Sequence, residues 1–161
     1  MAVLNTPNLM EITLRNFQKK TPIPQAKILK AAKTAFRKLI GDVYQLNAPM
    51  KRQLIGRRYQ LISALSIVFV GAKRMRAFNK KYLNHDYVTD VLTFDLGEGI
   101  CEIIICPKIA CANAKKHQTS TEKEIILYVI HGILHLAGFD DHNLKDILQM
   151  RNMENKLLDR C

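Results

Sequence analysis

The chain has 161 residues, 48% of them hydrophobic, and its formal net charge is +11. A chain of this length usually folds as one domain with one core, so we predict a single domain over residues 1–161, with residues 1–10 poorly ordered. No apolar run is long enough to span a membrane, and the N-terminus lacks the basic and apolar segments of a secretory signal. We therefore expect neither secretion nor a membrane partner.

The chain has four cysteines, and none of them belongs to a Cys-x-x-Cys pair. Their spacing fits neither a zinc ribbon nor a dense disulfide framework. We interpret them as reduced thiols of a cytoplasmic protein, although Cys106 and Cys111 could in principle bind a metal. The cysteines are Cys101, Cys106, Cys111 and Cys161.

The positive charge is concentrated in the first half of the chain. Residues 1–60 hold twelve lysines and arginines against Glu11 and Asp42, whereas residues 91–161 hold eight against ten acidic residues. A basic surface of this kind is typical of proteins that bind a polyanion, and nucleic acid is the commonest polyanion. A solvated basic face that keeps the protein soluble is the alternative.

The first third of the chain predicts one strand and one amphipathic helix. Residues 11–17 alternate polar and apolar, which indicates a half-buried strand. Apolar residues recur at helical spacing from Gln25 to about Ile40, and Gly41 with Asp42 predicts the end of that helix. Residues 41–60 then form a basic insertion or irregular connection, either an RNA-contacting loop or a solubilising one.

The remaining segments predict three strands and four helices. Residues 88–94 and 102–106 should pair as a hairpin with a longer loop. The full order is β-α-β-α-β-β-α-α-α, which predicts an α+β fold: a small mixed four-stranded sheet packed with a buried central helix and surrounding helices. The other predicted segments are a strand at 64–70 and helices at 72–83, 107–117, 121–138 and 143–158.

The predicted helix at 121–138 carries the strongest functional signal. Thr121 and Glu124 have the spacing of a capping box, and the apolar run that follows predicts a helix buried on all sides. His131 and His135 are four residues apart, so both imidazoles lie on one face of the helix. A metal ion would satisfy both rings, whereas hydrogen bonds from a protein core are the other explanation.

The residues after this helix extend the metal prediction. Gly138 readily ends a helix, and the turn can bring Asp140, Asp141 or His142 back toward the histidines. Three ligands and a water are the pattern of catalytic zinc. Zinc peptidases carry a glutamate as general base directly after the first histidine, and this chain has Gly132 there, which makes a metallopeptidase an unfavourable alternative.

Three passages together resemble the YbeY family of endoribonucleases. The run from His131 to Asp141, His-Gly-Ile-Leu-His-Leu-Ala-Gly-Phe-Asp-Asp, is similar to the family's histidine signature. Residues 76–94 resemble its arginine-x-leucine-asparagine helix and threonine-aspartate-valine-leucine-serine-phenylalanine strand, and residues 102–106 resemble the strand before the histidine helix. The resemblance covers residues 65–158 well and 11–40 loosely.

The resemblance implies an activity, a cofactor and partners. It implies an endoribonuclease that is specific for single strands, depends on one Zn²⁺ ion, and works in 3′-end maturation of small-subunit ribosomal RNA and in ribosome quality control. Single-stranded or ribosomal RNA, the ribosome and ribosomal proteins are the implied partners. An alternative of another class is a ribosome-assembly RNA-binding factor whose metal is structural.

The sequence departs from the family pattern at two positions. The family's third ligand is a histidine six residues after the second, and that count gives Asp141 here, with His142 one place later. The register favours Asp141, and His142 remains open. The family commonly has an arginine at position 83, thought to face the phosphate, where this chain has Leu83. The candidates to replace it in RNA binding are Arg74, Arg76, Lys80 and Lys81.

Overall fold

The structure is a computed structural model that describes residues 11–45 and 62–160. The predicted disorder of residues 1–10, most of the predicted basic insertion and Cys161 lie outside these ranges. Within them, the strands are β1 (Glu11–Asn16), β2 (Ala64–Phe69), β3 (Val91–Asp95) and β4 (Ile100–Ile105). The helices are α1 (Gln25–Gln45), α2 (Ala72–Leu83), α3 (Pro107–His117), α4 (Thr121–Leu136) and α5 (Leu144–Leu158).

The four strands form one mixed sheet in the order β1-β2-β4-β3. β1 and β4 both run parallel to β2, and β3 runs antiparallel to β4, as the hairpin prediction required. The element order and the mixed four-stranded sheet confirm the predicted α+β fold. None of the helices in the described part of the chain is both long and apolar enough to cross a membrane.

The two faces of the sheet pack against different helices, because side chains alternate along a strand. Ile67 and Ile103 point to the main core, which contains Ile130 and Ile133 of α4 together with buried residues of α1. Their neighbours Val68 and Ile104 point to the other face and pack in a smaller cluster with Met75 of α2. The sheet therefore separates α4 from α2.

Two predicted boundaries differ from the structure by three residues or more. α1 continues through Gly41 and Asp42 to Gln45 instead of ending near Ile40, since one glycine costs a helix only about 1 kcal/mol. β3 begins at Val91 instead of Val88, because the Asp90 carboxylate accepts hydrogen bonds from the Val91 amide (2.8 Å) and the Thr89 hydroxyl (3.0 Å) and forms a local turn. Local side-chain bonding of this kind competes with strand pairing.

Gly132 lies where α4 comes closest to the sheet. A Cβ atom at this position would stand 2.9 Å from Ile103 Cγ2 and 3.0 Å from Ile103 Cδ1. Ile103 is fully buried on β4, and its branched side chain has few alternative rotamers. A side chain at position 132 would therefore push the helix and the sheet apart. The glutamate of a zinc peptidase has no room here.

We expect Gly132→Ala to destabilise the fold by about 1–3 kcal/mol, because an overpacked core must shift its backbone or its rotamers. Urea denaturation of the variant measures this change. Gly71→Ala is the matched control, since nothing lies within 4 Å of a Cβ at Gly71. The control should change the free energy of unfolding by less than about 1 kcal/mol. Equal losses in both variants would contradict the close approach.

Candidate metal centre

The start of α4 is fixed by Ser120, one residue before the predicted cap. The Ser120 hydroxyl accepts a hydrogen bond from the Lys123 amide at 3.1 Å, which is the bond expected of a helix N-cap. The predicted capping box of Thr121 and Glu124 was wrong in register. The buried Glu124 carboxylate instead accepts from the Thr119 hydroxyl at 2.6 Å.

The end of α4 is a left-handed turn at Gly138, where the sequence predicted the stop. Gly138 has φ +88°, a conformation that favours glycine. The Phe139 amide donates to the Leu134 carbonyl at 3.0 Å, and the Gly138 amide donates to the His135 carbonyl at 2.9 Å. These two bonds are those of a Schellman motif, and they bring the chain back over the last helical turn.

Each histidine is held through its Nδ1 atom by an acceptor. His135 Nδ1 lies 3.1 Å from the Phe139 carbonyl oxygen in the Schellman turn. His131 Nδ1 lies 2.6 Å from Oε1 of Glu154, which reaches it from α5. A carbonyl and an ionised carboxylate only accept hydrogen bonds, so both Nδ1 atoms carry the proton. In the neutral rings the lone pairs then belong to the two Nε2 atoms.

The two Nε2 atoms face each other. They are 2.9 Å apart, and the rings are nearly perpendicular, with an interplanar angle of 86°. Two lone pairs at this distance repel unless a positive charge lies between them, which can be a proton or a metal ion. The arrangement also matches metal-binding histidines in general, which donate their other ring nitrogen to a carboxylate or carbonyl.

The structure brings Asp141, and not His142, to the histidine pair. Asp141 Oδ2 lies 3.9 Å from His131 Nε2 and 4.0 Å from His135 Nε2, so the three ligand atoms form one cluster. The His142 side chain is 83% exposed, and its Nε2 is 3.4 Å from Asp140 Oδ1. A second cluster joins Asp140, Asp141 and His142. Two imidazoles and a carboxylate suit zinc as ligands.

Neither Cys106 nor Cys111 belongs to such a cluster within the residues that the structure describes. Cys106 is fully buried, and burial raises the pKa of its thiol. A buried thiol with a raised pKa is a poor thiolate donor.

The histidine pair lies on a partly open stripe of α4. Leu127, His131 and His135 follow at intervals of four residues and are half-buried, with the two histidine side chains 22% and 25% exposed. The prediction that the helix is buried on all sides was therefore wrong along this stripe. Along this stripe, part of each histidine side chain is in contact with solvent.

The surroundings move the two histidine pKa values in opposite directions. Burial lowers the pKa of His131, but the hydrogen bond and charge of Glu154, with the charges of Asp141 and Asp90, raise it above the ordinary value. Burial and the neighbouring His131 lower the pKa of His135. When the pair binds one extra proton, His131 is therefore the ring that is protonated.

Glu154 is the site residue that sequence analysis missed. It lies four residues after Met150 and three before Leu157, so it occupies the apolar stripe that α5 turns to the core. An acidic residue in such a stripe is a signal that it has a buried partner. The partner itself, 23 residues away in the sequence, could not be named without the packing of α5 on α4.

The predicted RNA-binding residues all lie on α2, on the other side of the sheet from α4. Arg76 Nε and Lys80 Nζ bind the Asp86 carboxylate at 2.8 and 3.0 Å, and these hydrogen bonds lower the pKa of Asp86 to about 2. The Arg74 guanidinium lies 5.3 Å from the centre of the Phe17 ring, and the Lys81 ammonium lies 5.1 Å from that of Tyr82.

Comparison with known proteins places the chain in a family. A family model described as "Endoribonuclease YbeY" matches residues 14–161, which include all of the helices and most of the sheet. The chain belongs to the YbeY endoribonuclease family. This confirms the resemblance on which the sequence interpretation rested.

Curated YbeY relatives match over part or nearly all of their length. "Endoribonuclease YbeY" of Thermotoga neapolitana is 40% identical over 93 residues, which is 55% of this chain and 62% of that protein. The YbeY protein of Thermodesulfovibrio yellowstonii is 30% identical over 158 residues, which is 92% of this chain and 96% of that protein. The solution structure of a Thermotoga maritima protein is similar in fold, with 26% identity, a TM-score of 0.55, and coverage of 92% of this chain and 87% of that one.

We expect Glu154→Gln to weaken metal binding at the histidine pair by about 10- to 100-fold, because the amide keeps the shape of the carboxylate but removes the charge that supports His131. Titration of the metal-free protein against a chromophoric chelator measures the affinity. Glu122→Gln is the matched control, since Glu122 pairs with Lys27 on the surface at 2.6 Å. Unchanged affinity in Glu154→Gln would show that this contact does not support a ligand.

In metal-free protein the two histidines should titrate on opposite sides of about pH 6.5. Protonated His131 stabilises the fold below that pH, and this contribution is lost as pH rises through its raised pKa. Neutral His135 contributes stability above about pH 6.5 that decreases as pH falls toward its lowered pKa. NMR titration of both imidazoles tests the order, which a higher pKa for His135 would contradict.

Proposed function

We propose that this protein is a zinc-dependent endoribonuclease that cleaves single-stranded RNA. The observation that supports this most directly is the pair of facing Nε2 atoms of His131 and His135, with the Asp141 carboxylate about 4 Å from both. Family membership supplies the reaction class, since the matching family is named for endoribonuclease activity. The basic α2 and the net charge of +11 favour a polyanionic substrate.

The proposed biological setting follows from the family. We assign the activity to 3′-end maturation of small-subunit ribosomal RNA and to ribosome quality control in the cytoplasm. The expected partners are single-stranded or ribosomal RNA and the ribosome with its proteins. Contacts with the RNA backbone would supply most of the affinity and would weaken as salt is added.

His131, His135 and Asp141 would hold one Zn²⁺ ion. Zinc, when bound, supplies Lewis-acid polarisation of a phosphoryl oxygen and lowers the pKa of a water molecule. Glu154 and the Phe139 carbonyl keep the Nδ1 protons in place, so that both Nε2 lone pairs point to the same spot. Asp141 adds a negative charge beside the pair. The half-open stripe of α4 lets the RNA reach these groups.

The site is less suited to peptide hydrolysis. A metallopeptidase needs a glutamate base after its first histidine. Gly132 takes that position, and Ile103 fills the space that a side chain there would require. Activation of the attacking water would therefore depend on zinc or on a group from outside α4.

A second candidate function rests on Leu83. This residue is 52% exposed at the end of α2, at the position where the family commonly has an arginine. An arginine can bind a phosphate through two hydrogen bonds and stabilise charge in the transition state, and leucine can do neither. An RNA-binding ribosome-assembly factor with a structural metal fits this difference. Zinc-loaded protein that binds RNA but cleaves none would favour it.

The ligand assignment is tested on four proteins: wild type, His135→Ala, Asp141→Ala and His142→Ala. Elemental analysis gives the zinc content, and a labelled single-stranded RNA gives the cleavage rate on the same samples. We expect both readouts to fall together in His135→Ala and Asp141→Ala, because each loses a donor atom of the cluster. His142→Ala should keep its zinc, since the His142 ring is exposed and lies outside the cluster of His131, His135 and Asp141.

Two results would change these proposals. Loss of zinc in His142→Ala, with zinc retained in Asp141→Ala, would show that His142 and not Asp141 is the third ligand. Stoichiometric zinc without cleavage of any single-stranded RNA would overturn the nuclease proposal.

A further inference from the structure

Three exposed rings follow one another closely in the sequence where α2 ends and the following loop begins. Tyr82 is 51% exposed and Tyr87 is 56% exposed, and His85 is also on the surface. The rings of His85 and Tyr87 stack with their centres 5.3 Å apart and an angle of 16° between their planes. The Tyr87 hydroxyl and His85 Nδ1 share a hydrogen bond of 3.3 Å. We refer to His85 and Tyr87 as the ring pair.

Asn79 holds the ring pair in place through hydrogen bonds to the backbone of both residues. This side chain is only 1% exposed, and its Nδ2 donates to the Tyr87 carbonyl at 3.1 Å, while the Asn79 carbonyl accepts from the His85 amide at 3.3 Å. Asn84 provides the left-handed turn with φ 58°. A buried asparagine that clamps both residues of an exposed pair fixes the rings before any partner arrives, which reduces the entropy lost on binding.

The surface around the ring pair is basic. Residues 72–87 contain five lysines and arginines and one acidic residue, Asp86. Asp86 lies between the two rings in sequence and binds Arg76 and Lys80, which fastens the loop to α2. Tyr82 sits beside Lys81 and packs edge-on against Phe94 of β3, with ring centres 5.0 Å apart. Interleaved cations and exposed rings are the features of surfaces that bind single-stranded nucleic acid.

The loop that carries the ring pair leads to a strand that packs against α4. Tyr87 is three residues from Asp90, so the two Cα atoms are at most about 11 Å apart. The next residue, Val91, begins β3 and packs against the main core that contains α4. Because β3 is an edge strand and contacts α4, RNA on the ring pair would lie near the edge of the sheet around which it can reach the α4 face.

We propose that the ring pair, together with Tyr82, is a base-stacking platform for unpaired nucleotides of single-stranded RNA beside the metal centre. This rests on the proposed function and deepens it, because it explains how single strands are selected. Bases in a duplex are stacked on each other and present no free face, whereas a splayed base can stack on an aromatic ring. The platform tolerates any sequence, since every base has such a face.

The test measures RNA affinity without cleavage. All variants are made in the His135→Ala background, and binding of a fluorescent single-stranded RNA is followed by anisotropy. We expect Tyr87→Ala to raise the Kd by about 5- to 100-fold, the range for loss of one base–aromatic stack. Tyr87→Phe should stay within about twofold, because it keeps the ring. Leu96→Ala is the matched control, since Leu96 is an exposed apolar side chain, 61% accessible, in the turn between β3 and β4.

An RNA with abasic positions separates stacking from charge. Protein with the intact ring pair should bind the abasic RNA more weakly than intact RNA. Tyr87→Ala should show a smaller difference between the two RNAs, because it has lost one of the stacking rings. Equal Kd values for Tyr87→Ala and its parent would overturn the platform. So would an equal loss of affinity for intact and abasic RNA, and a protein partner would then be the alternative occupant of the exposed rings. Circular dichroism confirms that each variant is folded.

The outcomes for the platform and for the nuclease can be told apart. Binding that depends on Tyr87 in the His135→Ala background supports the platform even if wild-type protein cleaves nothing. Cleavage by otherwise wild-type Tyr87→Ala with unchanged KM would overturn the platform and leave the nuclease proposal intact.

Discussion

The close approach of α4 to β4 at Gly132 is the constraint on which the rest of the structure depends. Because Gly132 has no side chain, Ile103 of the central strand packs directly against the helix backbone. The neighbouring His131 and His135 are thereby set beside the core and yet stay on the open stripe of the helix. The same contact removes the space for a peptidase base. One steric fact thus shapes both the packing and the chemistry of the site.

The geometry of the histidine pair depends on tertiary structure more than on the helix itself. Helical spacing places the rings one turn apart, but it does not orient them. Their orientation comes from Glu154 of α5 and from the Phe139 carbonyl in the Schellman turn. Burial lowers the proton affinity of both rings, the charge of Glu154 outweighs this effect at His131, and the neighbouring His131 lowers the affinity of His135 further.

The sequence predicted those features that depend on short-range patterns. Helical spacing identified the two histidines, glycine chemistry identified the stop at Gly138, and alternation identified the strands. Element boundaries that depend on competing local hydrogen bonds lie at other residues than predicted. β3 starts directly after Asp90, and the N-cap of α4 is Ser120. Glu154 could not be assigned because its role requires the packing of two helices. The choice between Asp141 and His142 requires the path of the turn, which spacing alone does not give.

The Schellman turn has a consequence for the energetics of the site. The Phe139 carbonyl that accepts from His135 belongs to a residue whose amide closes the helix on Leu134. Occupation of the histidine pair by a cation and closure of this helix end are therefore thermodynamically linked. A cation bound at the pair would suppress fraying of the last turn of α4, and local opening of that turn would release one of the proposed ligands. Through its left-handed turn, Gly138 would in this sense help to determine the metal affinity.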